Sequence, residues 1–225
     1  MKLNTNNNAY IIAYSCAMVV IVAFLLAFVS STLKARQDVN VALDKKKQIL
    51  AALNIRNLSD SESEAKYNEV VLSDEATKAN NEAAFKLNSG DYKAGNYKVY
   101  ECQVGGEKKY VVPVYGMGLW GAIWGYVAVN ADGNTVYGAY FNHDSETAGL
   151  GAEIKDSKAW QDKFAGKKKI YGADSSAALK VVKSSELKNP ASEVDGITGA
   201  TLTSNGVSDM LQDGFKKYKT LLSHE

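Results

Sequence analysis

A run of twenty residues without a charge, Tyr10 to Val29 (YIIAYSCAMVVIVAFLLAFV), constrains this chain more than any other feature. As a helix rising about 1.5 Å per residue it spans about 30 Å, enough to cross the hydrocarbon core of a bilayer. A cleaved secretory signal has an apolar region of about 7–15 residues and ends at an Ala-x-Ala-like site. No clear site of that kind follows here. The run therefore reads as an uncleaved transmembrane helix over residues 10–32, behind a short N-terminal tail over residues 1–9. Lys34, Arg36 and Lys45–Lys47 follow the span, whereas only Lys2 precedes it. Taken alone, that count places the C-terminal part in the cytoplasm. Long domains translocate largely regardless of charge, however, and about 190 residues follow the span. Local charge leaves the side open.

The remainder is long enough for a domain with its own core. Hydrophobic residues make up 46% and charged residues 23% of the 225, which excludes a disordered, collagen-like or disulfide-scaffold chain. The net charge is +1, so there is no basic field to attract nucleic acid. Cys16 lies in the apolar run and Cys102 far downstream, which leaves the soluble part with one thiol and no internal disulfide. With only His143 and His224 available, no Cys/His zinc site can be assembled. A carboxylate-held metal stays open, although no acidic triplet has calcium-loop spacing. Cys16 reads as a lipid-facing or core residue rather than a ligand to a shared metal centre.

Residues 33–90 read as a helical and loop connecting region. Val39, Leu43, Ile49, Leu50 and Leu53 recur with helical spacing up to about Ile55. From Asn57 to Asp91 the chain is rich in Ser, Asn, Asp, Glu and Lys, and reads as a solvated loop with short helical pieces. Strand signals then open the domain over residues 91–225. Tyr97–Val104 alternates, with Tyr100, Cys102 and Val104 on one face, and Gly105-Gly106 offers a tight turn into Lys109–Tyr115. Ile123–Val129 and Thr135–Phe141 are apolar runs joined by Asn-Ala-Asp-Gly-Asn, a hairpin signal. Helical patterns return at Lys158–Phe164, Ser176–Ser184 and Gly206–Leu222. Strands followed by helices give an α+β domain with an antiparallel sheet and flanking helices.

Three clusters are candidates for chemistry. In the first, Tyr115 to Gly125, four glycines stand among two tryptophans and a leucine. Glycine weakens a strand but permits close backbone approach, so either a flat aromatic ligand or a bulged, covered strand accounts for it. The second, His143 to Glu153, is a polar loop directly after a strand. His143 and Glu146 can serve as acid and base, but no nucleophile lies nearby in sequence, and a satisfied loop histidine is the plainer account. The third, Asp195-Gly-Ile-Thr-Gly-Ala-Thr-Leu-Thr-Ser204, opens the last helix. Free amides and the dipole at a helix start favour an anion, and Thr198, Thr201, Thr203 and Ser204 add hydroxyl donors for a phosphate. An ordinary N-cap by Thr203 or Ser204 is the alternative.

In this order the clusters resemble the family of membrane-anchored FMN-binding domains, in the form of the C subunits of sodium-translocating NADH:quinone oxidoreductases. Asp195-x-x-Thr198-Gly199-Ala200-Thr201 resembles the family's flavinylation signature. His143-x-x-Glu146-Thr147-x-Gly149-Leu150-Gly151 resembles its second motif, with Ala148 where proline is usual. Gly116-Met-Gly118-Leu119-Trp120 resembles the form found in these C subunits rather than in the related Rnf-type complex. The resemblance covers nearly the whole chain, anchor included.

It implies that a dedicated FMN transferase joins FMN through its phosphate to the hydroxyl of Thr201, with Asp195 organising the loop or holding the transferase's metal. Leu119, Trp120, Thr147 and Leu150 then flank the isoalloxazine. His143, Glu146, Thr198, Gly199, Ala200 and Thr203 complete the cofactor surroundings, and Lys183, taken to lie on an approaching helix, offsets flavin charge. The implied role is electron relay inside a complex, from an iron centre of neighbouring membrane subunits to a second covalent FMN, on the B subunit, and on to ubiquinone, coupled to sodium export. The chain has no dinucleotide fingerprint and no four-cysteine cluster site of its own. The resemblance also implies a bacterial inner-membrane location with the N-terminus cytoplasmic and the flavin domain periplasmic, among membrane lipid and the complex's other subunits. Two other accounts remain: the flavin-carrying subunit of an Rnf-type complex, separable by its copurifying subunits, and a membrane-tethered module that binds a flavin or phosphate reversibly and loses it under denaturant.

Overall fold

The computed structural model describes residues 7–166 and 168–222. Residues 1–6 of the expected tail, Lys2 among them, and His224 lie outside the described residues. The chain divides into two compact units, Met1–Asp44 and Lys45–Glu225. Helix α1 (Asn8–Ala52) carries the uncharged run as one uninterrupted helix, whose last two turns from Lys45 belong to the second unit. Among the described residues it is the single helix long and apolar enough to cross a membrane. Val19, Phe24 and Leu26 are about two-thirds exposed on it, and a helix apolar on every side is suited to lipid.

The second unit is built on an antiparallel sheet whose strands follow chain order: β1 (Tyr100–Val104), β2 (Glu107–Met117), β3 (Ala122–Asn130) and β4 (Val136–His143). The β1–β2 hairpin turns on Gly105 and Gly106, with φ of 60° and 83°, a geometry that side chains rarely adopt. Both faces of the sheet are covered, which is why β2 and β3 read as near-continuous apolar runs.

On one face Val112, Val114, Val127 and Phe141 pack under α7 (Thr201–Leu222), α5 (Glu153–Asp156), α6 (Lys158–Gln161) and the 3-10 turn Asp162–Phe164. Helix α7 lies close because Gly206, Met210 and Gly214, one turn apart, face β2. A Cβ on Gly206 would stand 2.3 Å from Met117 O, and one on Gly214 2.8 Å from Val114 Cγ1. Gly116 in turn leaves room for Met210, whose Cβ a side chain there would meet at 2.7 Å.

The other face buries Tyr100, Cys102, Val111, Tyr126 and Ala128 beneath Ile49, Leu50 and Leu53 from the end of α1, together with α2 (Asp60–Val71) and α3 (Glu75–Lys86). The polar stretch, expected as a solvated loop with short helical pieces, is mostly helical: α2, α3 and the short α4 (Ser89–Lys93). Each starts at a side-chain cap: Ser59 with Glu62 in a capping box, Asp74, and Asn88 with Asp91 in a second box. Buried Asn81 ties α3 to its neighbours, donating to Val71 O and Glu101 O and accepting from Glu101 N–H.

The expected helix over Ser176–Ser184 is corrected. Val181 and Val182 lie in a short strand, β5 (Lys180–Val182), paired in parallel with β6 (Glu193–Asp195). The β-branched pair gains more from the ladder and from packing on α7 than from a helical turn. Glu193 anchors this pair. Its Oε2 accepts the N–H groups of Lys188 (2.6 Å) and Asn189 (2.7 Å), and Lys180 Nζ stands 3.2 Å from Oε1. Those amide bonds hold its carboxyl down at about 2. Above the ordinary glutamate value of 4.5 this contribution to stability is fully present; it is lost as the pH falls toward about 2, because the unfolded chain binds the proton first. Glu193→Gln is accordingly expected to melt lower than the parent at pH 7, with the gap narrowing steadily below pH 4.5. Thermal melts across that range check this, and a constant gap refutes it.

Candidate functional site

Three loops at one end of the sheet carry the three sequence clusters. The β2–β3 connection is short and closed by Gly118 N–H donating to Gly121 O at 2.8 Å. Its tip presents Leu119 and Trp120 to solvent, 48% and 67% exposed. The loop after β4 starts at His143, whose Nδ1 accepts the Glu146 N–H at 3.1 Å. Thr147 O then accepts from Leu150 and Ala152, a turn that Gly149 completes at φ 72° and that leaves Thr147 and Leu150 exposed. Alanine at 148 still permits this turn.

The third loop links β6 to α7. Gly196 N–H donates to Val182 O at 2.7 Å and Ile197 N–H to Ser204 Oγ at 3.1 Å, so the loop is pinned to β5 and to the helix it enters. Gly199, at φ 81°, turns the chain into α7. Thr198, Gly199 and Thr201 are exposed, whereas Ala200 is buried. Ser204 N–H makes the first bond back, to Ala200 O, so the amides of residues 201–203 point out of the helix start. Thr203 and Ser204, weighed as N-caps, lie inside the helix with their hydroxyls committed elsewhere.

Glu146 brings the loops together. It is 7% exposed; Oε1 accepts Trp120 N–H at 2.8 Å, and Oε2 accepts the Thr203 hydroxyl. Burial alone would raise its pKa, but the Thr203 hydroxyl and the Trp120 and Gly121 amides outweigh it and hold the carboxyl below the usual range. Glycines make room for it: a Cβ on Gly118 or on Gly151 would stand 2.5 Å from one of its oxygens. Leu150 also meets the third loop, since a Cβ on Gly199 would lie 3.0 Å from its Cδ2.

Asp195 ends β6 half-buried, with Lys163 Nζ 2.8 Å from Oδ2 and Trp160 Nε1 donating to its carbonyl at 2.8 Å. Sequence reading missed Lys163, Trp160 and Ser204 in these roles, and only the helical pattern around the buried Trp160 hinted at any of them. Lys183 is corrected: it follows β5 rather than lying on a helix, is exposed, and faces Glu186 Oε1 at 3.5 Å. The β5–β6 register sets its neighbour Val182 beside Asp195. Among the described residues no three His, Cys, Asp or Glu side chains gather to hold a metal, and Cys16 is exposed on α1.

An exposed hydroxyl at an open helix start, beside apolar walls, suits a phosphorylated ring system better than a metal or a peptide chain. The comparisons agree: residues 118–216 match the family described as FMN-binding domain. The chain is 36% identical over 216 residues to the C subunit of the Na(+)-translocating NADH-quinone reductase of Vibrio anguillarum, covering 85% of this chain and 84% of that protein. It is 33% identical over 239 residues to the corresponding protein of Haemophilus ducreyi, covering 95% and 92%. The crystal structure of the counterpart from Parabacteroides distasonis superposes with a TM-score of 0.74 at 35% identity, covering 86% of this chain and 98% of that one. The chain belongs to the family of Na(+)-translocating NADH-quinone reductase C subunits, whose members are parts of an oxidoreductase complex.

Proposed function

We propose that this chain relays electrons within a sodium-pumping NADH:quinone oxidoreductase through an FMN joined by its phosphate to Thr201. The observation that carries the reading is the placing of Thr201: an exposed hydroxyl on the first residue of α7, behind the left-handed turn at Gly199, with exposed Leu150 against that turn. FMN supplies the redox chemistry when bound. The amides of residues 201–203 and the helix dipole favour the phosphate's charge. Leu119, Trp120, Thr147 and Leu150 wall the ring system and exclude water, with Thr198, Gly199, Ala200 and His143 around them. Lys163 and Asp195 hold the approach to the attachment loop in register. An ester cannot dissociate, so the carrier stays with the chain through each cycle.

Electrons enter from an iron centre of neighbouring membrane subunits and leave toward the flavin of the complex's B subunit and then ubiquinone; the chain is one carrier in the complex and no complete catalyst alone. Maturation on the periplasmic side by an FMN transferase fits a cytoplasmic N-terminus, with α1 in the lipid of a bacterial inner membrane and the flavin domain outside. Intact mass of the denatured full chain, expressed with its transferase, is expected to exceed the sequence mass by one FMN less one water. A periplasm-dependent reporter fused after Glu225 in the same cells is expected to be active. An unmodified mass in transferase-competent cells would leave a reversible phosphate-binding module as the better account, and a reporter active only in the cytoplasm would reverse the orientation.

A further inference from the structure

Glu146, in the loop after β4, is bonded both to the tip of the β2–β3 loop and to the first turn of α7, and its geometry differs from that of a residue waiting for a ligand. Both oxygens are already occupied by donors from elsewhere in the chain, Trp120 N–H on Oε1 and the Thr203 hydroxyl on Oε2. Its own N–H is spent on His143 Nδ1. The side chain is buried, and the glycines at 118 and 151 leave space for it and for little else. The two donors matter for where they sit. Trp120 is the aromatic tip of the β2–β3 loop, and Thr203 is on the first turn of α7, two residues after Thr201.

We propose that Glu146 is a positioning residue, a buried brace that fixes the distance and angle between the Leu119–Trp120 wall and the helix start bearing Thr201, and that it neither exchanges protons nor touches the flavin. The inference rests on the FMN reading for its purpose, though not for its existence. Charge-assisted bonds to a carboxylate are roughly twice as strong as neutral ones, so one carboxylate with two such bonds is an effective tie between segments 26 and 57 residues away.

A set of four substitutions separates a brace from a charge or a general base. Gln at 146 can keep both contacts, with its carbonyl accepting from Trp120 N–H and its amide donating to Thr203 Oγ1, while losing the charge. Glu146→Ala removes both contacts, Thr203→Val removes one, and Thr203→Ser restores the hydroxyl. Each is made in the full chain and again on Thr201→Ala, which carries no flavin, and is read by amide hydrogen exchange and by flavin emission. On the flavin-free chain, Glu146→Ala is expected to speed exchange by about tenfold at the Trp120 amide and at the first hydrogen-bonded amides of α7, from Ser204 onward. Thr203→Val is expected to do so in α7 alone, Thr203→Ser to stay near the parent, and Glu146→Gln, which keeps both contacts without the charge, to fall between the parent and Glu146→Ala. In the flavinylated chain, Glu146→Ala is expected to keep the FMN mass but to change the intensity of flavin emission as the Trp120 wall shifts, and Glu146→Gln to return it toward the parent.

Three outcomes overturn the proposal: unchanged exchange in Glu146→Ala, Glu146→Gln as damaging as Glu146→Ala, or exchange raised equally in β1 and α2, which would mean general loosening. Should Glu146→Ala fail to fold, the contrast between Thr203→Val and Thr203→Ser decides by itself. An unmodified parent mass refutes the flavin reading alone, and the exchange contrast then still decides the brace.

Discussion

Thr201→Ala is expected to abolish covalent flavin while leaving the domain's stability within about 0.5 kcal/mol of the parent. Both halves follow from where the residue lies. Thr201 is exposed, stands first in α7 and makes no side-chain hydrogen bond to another described residue, so the fold does not depend on its hydroxyl. Alanine is also a better helix former than threonine. The other hydroxyls nearby cannot stand in for it. Thr203 is buried and committed to Glu146, and Ser204 Oγ holds the Ile197 amide. Thr198 is exposed, but it precedes the helix start and lacks the outward amides around a phosphate. Intact mass and a thermal melt on the same sample make the check. Full flavin mass on Thr201→Ala would move the attachment to Thr198, and Thr198→Ala would then be the variant that loses it.

Gly206→Ala is expected to destabilise the domain by about 1–3 kcal/mol and to lower the fraction carrying flavin. The usual sign is the reverse, since alanine in place of glycine inside a helix gains about 1 kcal/mol. Here the added methyl would stand 2.3 Å from Met117 O, fixed by the β2–β3 ladder, and 3.3 Å from Gly118 Cα, fixed by the turn bond to Gly121. The helix must therefore lift off the sheet at the turn next to Thr201 and Thr203. Gly214→Ala serves as the contrast, because its methyl would meet Val114 Cγ1, a side-chain atom, at 2.8 Å. It is expected to cost less and to leave flavin loading intact. Denaturant midpoints at equal slope, with intact masses, measure both. A stabilised Gly206→Ala would show that the seam yields where the structure has it tight.

The sheet was legible because its signals are local. Strands β1 to β4 alternate or run apolar, and Gly105-Gly106 permits a turn that few other pairs do. Helix α7 shows its 3.6-residue period in Val207, Met210, Leu211, Phe215 and Tyr218, all buried. Asn57–Asp91 is more helical than the short pieces its composition suggests, because that polar composition hides its capping. Ser59 with Glu62 is a helix-start signature, and Tyr67, Val70 and Val71 form the buried stripe behind it. The β5 strand escapes the sequence for a different reason. Three residues carry too little period to tell strand from helix, and its partner β6 lies 13 positions further along.

The site divides in the same way. Each of the three motifs was visible as a cluster of glycines, hydroxyls and aromatics, since each loop folds on itself. What joins them was not. Glu146 meets Trp120 and Thr203 across 26 and 57 residues, and Lys163 meets Asp195 across 32, separations at which spacing carries no information. Nor did the sequence show that Trp160 would hold the Asp195 carbonyl from the core beneath.

One consequence concerns the order in which the molecule can be made. The last turns of α1 do more than lead into the sheet domain, since Ile49, Leu50 and Leu53 are buried to within 1% and form one wall of its second core. Trp124 Nε1 donates to Gln48, Asn54 Nδ2 to Tyr137 O and Arg56 to Ala139 O, so β3 and β4 are fastened to the same segment. That wall is synthesised before the strands it is fastened to, β4 more than eighty residues later. Until those strands arrive, only α2 and α3 are at hand to cover the apolar side at the end of α1. A nascent chain therefore carries a half-finished core behind its apolar helix until β4 is made, and a severed domain that begins after Ala52 would lack Ile49 and Leu50 from that wall.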